Sequence, residues 1–102
     1  MQLQHGDVLL EEVEGIPVGA KQQKKGIGII LAEGETTGHA HRVKGSATLY
    51  TGPDGSVYLK PDAETDLTHE EHKTIRLMPV AYRVRRVQEF DYLEQQARQV
   101  QD

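Results

Sequence analysis

Four of the five histidines lie in two short stretches of the sequence. His39 and His41 form "HAH", and His69 and His72 begin and end "HEEH". On a β-strand, residues two apart point to the same face, so the first pair is expected to stand side by side as two metal ligands. In "HEEH", the two histidines share a face if Thr68 caps a helical turn. In an extended chain, each histidine instead shares a face with a glutamate.

Either geometry adds at least one histidine to the first pair, and a carboxylate from Glu70 or Glu71 can join it. Nitrogen and oxygen donors without sulfur suit Zn²⁺, Fe²⁺, Mn²⁺, Ni²⁺ or Cu²⁺. A divalent metal site is therefore predicted from four residues: His39, His41, His69 and His72. Two alternatives stay open, namely a histidine cluster that grips a small ligand without metal, and chance clustering on a wet surface. His5, alone before the first predicted strand, is assigned a structural or surface role.

The number of protein ligands separates two kinds of function. With three ligands and an open position, a bound water would be acidified toward a pKa of about 7 and become a nucleophile. Glu70 or Glu71, where it is not a ligand, is then the candidate catalytic general base. Four histidines on the ion would instead favour a structural site in a non-catalytic binding or assembly module. The sequence leaves both the enzyme and the module open.

Composition limits the remaining classes. The chain has 102 residues, 36% of them hydrophobic, which predicts one globular domain. It has no cysteine, which excludes disulfides, thiolate catalysis and cysteine-ligated zinc. A net charge of −4 gives no electrostatic reason to expect nucleic acid as a partner. No signal peptide or membrane span is recognised, so a cytoplasmic location and no membrane partner are expected. The partner expected for the histidine site is a small-molecule ligand or substrate.

Short segments rich in β-branched residues alternate with glycine and proline. "DVLLEEV", "GIGIILAEGE", "HAHRV", "TIRL" and "AYRVRRVQEF" are predicted strands, and the isoleucine run in the second is expected to be buried on both faces. "ATLYTGPDGSVYLK" predicts a hairpin turning at "GPDG". "DAETDLTHEEH" is judged too hydrophilic to be a central strand.

Six or seven short strands predict an all-β fold, a small antiparallel barrel or sandwich. The β domain is expected to span residues 1–90. Residues 91–102 are expected to form a short helix capped by Asp91, or a frayed tail. Exposed strand edges on such a small domain favour a homodimer.

The order of these motifs resembles the cupin family. "GETTGHAH" is similar to the first cupin motif, with His39 and His41 in its two histidine positions, and "HEEH" lies at a suitable distance for the second. The resemblance implies a small β-barrel in which three histidines and one glutamate hold a divalent metal, with hydrolase or oxygenase-like chemistry on a small molecule. The glutamate that follows the first motif in cupins is absent from "RVKGSA", and the Pro-x-Gly before the last histidine is missing. The resemblance therefore implies a fourth ligand from Glu70, Glu71, the remaining histidine or water.

Overall fold

The structure is a computed structural model, and it describes residues 1–33 and 39–86. The strands of these residues form two antiparallel sheets. The larger sheet has six strands. In spatial order they are β1 (Gln2–His5), β2 (Val8–Glu12), β10 (Tyr82–Arg86), β7 (Val57–Pro61), β6 (Ser46–Thr51) and β3 (Lys21–Ile27). The smaller sheet has four strands. They are β4 (Ile30–Glu33), β5 (Ala40–Val43), β8 (Thr65–Thr68) and β9 (Ile75–Leu77).

One apolar cluster joins the two sheets. Its buried members come from both: Val8, Leu10, Ile29, Val43, Ala47, Leu59, Leu67, Leu77 and Tyr82. The strands supply them by alternation, because successive side chains of a strand point to opposite faces. In β8, for example, Thr65 and Leu67 are buried, whereas Asp66 and Thr68 are only partly covered. The all-β prediction is confirmed, and the strand pairing of the described residues leaves two sheets without closing a barrel.

The predicted hairpin is confirmed as β6 and β7. Its strands pair from Ala47 opposite Pro61 to Thr51 opposite Val57. The turn is closed by the Gly52 amide, which donates to the Ser56 carbonyl over 2.7 Å. This hairpin lies in the larger sheet, away from the histidines.

Two strand predictions are wrong. The segment judged too hydrophilic for a central strand contains β8, which pairs with β5 on one side and β9 on the other. Only its inward residues need to be apolar, so polar neighbours do not prevent burial. The isoleucine run is not one strand buried on both faces, since Ile27 is 80% exposed and Ile29 is buried. Gly28, with a φ of +78°, breaks the strand between them.

The described residues form ten strands instead of the six or seven expected, because β8 was judged too hydrophilic and because β1 and most of β3 carry too few apolar residues to be recognised. The predicted helix or tail at residues 91–102, and the domain boundary at residue 90, lie outside the described residues. So do residues 34–38 of the first cupin-like motif. Across the described residues, no helix has the length and apolar character needed to cross a membrane.

Leu67 tests the shared core. Its side chain is fully buried on β8, so Leu67→Ala should lower the free energy of unfolding by about 2–5 kcal/mol through lost contacts and a residual cavity. The control is Arg42, which is exposed on the neighbouring strand. Arg42→Ala should change the free energy of unfolding by less than about 0.5 kcal/mol. Urea unfolding measures both. Equal effects of the two changes would contradict the placement of β8 in the core.

Candidate metal centre

The pairing of β5 with β8 brings the two histidine motifs together. Val43 lies opposite Leu67, and Arg42 lies opposite Thr68. One further step in the same register places His41 opposite His69, where the chain leaves β8. The two imidazole rings are tilted against each other with their centroids 4.4 Å apart. Antiparallel pairing, and not closeness in sequence, therefore joins "HAH" to "HEEH".

Continuing in the same register, Glu70 lies beside Ala40 and Glu71 lies beside His39. The Ala40 amide donates to Glu70 Oε2 over 3.0 Å, and His39 Nδ1 lies 3.4 Å from Glu71 Oε1. The amide hydrogen bond lowers the pKa of the Glu70 carboxyl below its usual value. "HEEH" is neither a helical turn nor a strand, because it forms bends in the loop between β8 and β9.

His5 meets His41 from the opposite sheet. His5 follows Leu3 on the inward face of β1, and His41 precedes Val43 on the inward face of β5. Both histidines are almost fully buried, at 2% and 1% exposure. Their Nδ1 atoms are 2.9 Å apart, and His5 Nε2 lies 2.8 Å from the Lys73 carbonyl oxygen.

The turn between β1 and β2 supplies a carboxylate to the same place. His5 pairs with Val8, which leaves Gly6 and Asp7 as a two-residue turn. Gly6 has a φ of +60°, a conformation that glycine adopts at the first central position of such turns. Asp7 Oδ1 then lies 2.9 Å from His41 Nε2, and Asp7 Oδ2 lies 3.3 Å from Arg86 Nη1.

The hydrogen bond that His41 donates to Asp7 decides which nitrogen of His41 can bind a metal ion. Burial alone would raise the pKa of Asp7, but the hydrogen bond from His41 and the charge of Arg86 outweigh it and lower the pKa. Asp7 is therefore a carboxylate, which only accepts, so His41 Nε2 carries the proton. In the neutral ring the lone pair then belongs to Nδ1. A carboxylate that orients a histidine in this way is the usual support of a metal ligand.

Burial also favours the neutral form of the inner histidines. It lowers the pKa of His41, although the hydrogen bond to Asp7 acts in the opposite direction. It likewise lowers the pKa of His5, against the hydrogen bond to the Lys73 carbonyl, and positive charge on His72 and His69 would lower it further. Neutral imidazole is the form that binds metal ions.

His72 completes the cluster above Gly6. Its ring is stacked on that of His41, with centroids 5.8 Å apart, and lies 4.5 Å from that of His69. The ring also packs so closely on Gly6 that a Cβ atom there would overlap it. His72 is exposed, so the cluster reaches the surface at this residue.

His41, His69 and His72 can each offer one ring nitrogen, and these three atoms lie within 4.8 Å of one another. His69 Nδ1 accepts the Glu71 amide hydrogen over 3.0 Å, so metal binding by His69 would replace this hydrogen bond or turn the ring. Three imidazoles without sulfur suit Zn²⁺, Cu²⁺, Fe²⁺ or Ni²⁺. The arrangement can therefore hold a transition-metal ion.

The structure brings together three of the four histidines that were predicted as metal ligands. His41, His69 and His72 converge, whereas His39 lies at the rim beside Glu71, with its ring centroid 5.7 Å from that of His69. His5 was set apart from the motifs, yet it lies inside the cluster, and the surface role considered for it is wrong.

Sequence reasoning also missed Gly6 and Asp7. The one available signal was "HGD", a histidine followed by a turn-forming pair at the end of a weak strand.

Gly6→Ala tests the contact between the β1–β2 turn and His72. Alanine in a left-handed conformation should cost about 1–2 kcal/mol of stability. The exposed His72 ring should swing away from the new Cβ, which would shift its ¹H–¹⁵N NMR resonances. Gly28→Ala is the control, because Gly28 also has a positive φ and a Cβ there would meet nothing within 4 Å. Unchanged His72 resonances in Gly6→Ala would contradict the packing.

Comparisons with known proteins identify the family but not an activity. Neither a curated protein nor a solved structure matches the sequence. Residues 4–87 match a family that is described as a domain of unknown function. The matched range includes His5, Asp7 and the two histidine motifs, and therefore the whole cluster. Because the match spans most of its length, the chain belongs to this family, DUF8820.

Proposed function

We propose that the protein binds a divalent transition-metal ion through His41, His69 and His72. The observation that carries the proposal is the convergence of three ring nitrogens within 4.8 Å. The Asp7–His41 hydrogen bond supports it, because it directs the lone pair of His41 to Nδ1. Zn²⁺ is the first ion to test, followed by Fe²⁺, Ni²⁺, Cu²⁺ and Mn²⁺. Mn²⁺ comes last because it prefers oxygen donors.

Zinc titration of the chelator-treated, full-length protein tests the proposal. Isothermal calorimetry should give one Zn²⁺ per chain. His72→Ala should weaken binding by about 100-fold or more, since loss of a supporting residue alone already costs 10–100-fold. Lys73→Ala is the matched control, because this exposed neighbour offers no ligand and keeps its backbone carbonyl on His5. Equal affinity of the wild type and His72→Ala would contradict the proposed ligand set.

Metal binding should also stabilise the fold. An ion that binds only the native state adds about 2.7 kcal/mol to the free energy of unfolding at 100 times its dissociation constant. Urea unfolding with and without Zn²⁺ should show this increase in the wild type and in Lys73→Ala. At the same Zn²⁺ concentration, His72→Ala should show little of it. A chelator should reverse the effect, and an increase of the same size in His72→Ala would argue for binding elsewhere.

A metal-dependent enzyme, as the cupin resemblance implies, is the second candidate function. The observation that favours it is the pair of His39 and Glu71 at the exposed rim, 3.4 Å apart, where a carboxylate could take a proton from a bound water. Glu71→Gln should then abolish zinc-dependent hydrolysis of an activated ester such as 4-nitrophenyl acetate while zinc affinity stays the same. A rate that survives Glu71→Gln would remove Glu71 from this role. Glu70→Gln tests the alternative base in the same assay.

A further inference from the structure

We propose that His5 is the fourth protein ligand of the ion, and that the completed centre is a structural cross-link between the two sheets. This inference rests on the proposed metal binding and adds a residue from the opposite sheet. It also decides between a closed and an open coordination sphere.

The hydrogen bond of His5 Nε2 leaves a lone pair on Nδ1, and this lone pair can bind a metal ion. A carbonyl oxygen only accepts, so His5 Nε2 donates its proton to Lys73 O over 2.8 Å. In the neutral ring, Nδ1 is therefore bare. An N–H donated to a backbone carbonyl is also the usual support of a metal-bound histidine.

With both rings neutral, neither of the Nδ1 atoms in the contact between His5 and His41 carries a proton. His41 Nε2 donates to Asp7, so His41 Nδ1 is bare as well, and the two Nδ1 atoms face each other at 2.9 Å. Two lone pairs at this distance repel, and a cation between or beside them removes the repulsion. The candidates are a shared proton and a metal ion.

The surrounding donors favour the metal ion. Two nitrogens on one tetrahedral ion lie about 3.3 Å apart, because each is roughly 2.0–2.1 Å from the metal. The observed 2.9 Å needs only a small adjustment to reach this value. A shared proton would involve only His5 and His41. The ring centroids of His69 and His72, however, also lie 6.3 Å and 5.8 Å from that of His5. Three of these histidines already offer nitrogens within 4.8 Å of one another, and drawing His5 Nδ1 onto the same ion would give the four ligands of a structural zinc site.

The position of the ligands explains what the ion would do. His5 belongs to the larger sheet, and His41, His69 and His72 belong to the smaller sheet or its β8–β9 loop. An ion held by all four would connect the sheets at the polar end of their shared core. With four protein ligands, a tetrahedral ion has no open position for a substrate, which favours the structural reading over the enzyme.

Cobalt substitution tests this directly. Co²⁺ added to the metal-free, full-length protein should give the intense visible absorption of a tetrahedral site. In His5→Ala, the vacated space should admit two or more waters, so the absorption should fall toward that of a five- or six-coordinate ion, and zinc affinity should fall by about 100-fold. Lys73→Ala should keep the spectrum of the wild type. An unchanged spectrum and affinity in His5→Ala would overturn the role of His5.

A second measurement needs no variant, so it holds even if His5→Ala fails to fold. In long-range ¹H–¹⁵N spectra of the wild type, Zn²⁺ should move His5 Nδ1 to the range of metal-bound nitrogen while Nε2 keeps its proton. If Zn²⁺ binds but His5 Nδ1 does not move into this range, the inference fails while the proposed function stands. If neither Zn²⁺ nor Co²⁺ binds the wild type, both fail.

Discussion

The contact between His5 and His41 joins two sheets that share one apolar core. Burying polar nitrogens at such a junction is unfavourable unless each has a partner. Two of the four nitrogens find one, in the Lys73 carbonyl and in Asp7, whereas the two nitrogens that face each other need a cation between or beside them. The rest of the centre follows from this need, because a buried histidine pair is stable only with its charge and hydrogen bonds balanced.

The backbone provides that balance with few residues. The turn after β1 is two residues long, so Asp7 reaches His41 while Gly6 leaves room for His72. The register of β5 and β8 sets His41 against His69 and moves His39 to the rim. A slip of one residue in either pairing would turn these side chains to the opposite face, so the cluster depends on the strand register.

The sequence predicted the parts of this arrangement that are local. Alternation and turn residues identified the β6–β7 hairpin, because it depends on neighbours within a few positions. It failed at β8, where polar residues stand beside buried Leu67, since a strand needs only every second residue to be apolar. Two further strands, β1 and β3, were missed because few of their residues are apolar, and β3 is exposed at nearly every position.

The candidate site was predictable only in part, because some of its residues meet only through contacts between distant parts of the chain. The spacing of "HAH" and "HEEH" pointed to a shared site, and His41, His69 and His72 do converge. Nothing near His5 in the chain marks it as a partner of His41, because the two meet only when the sheets pack. The assignment of His39 as a ligand stays a prediction, since the rim position neither requires it nor prevents a movement toward the ion.

The long separation of the partners along the chain also has a consequence for the order of folding. His5 lies 36 residues from His41 and 68 from Lys73, so both hydrogen bonds close long loops. Contacts of this kind form after local hairpins, because the entropy of loop closure must be overcome first. We therefore expect the histidine cluster to assemble late in folding, when the β1–β2 hairpin docks on the β8–β9 loop.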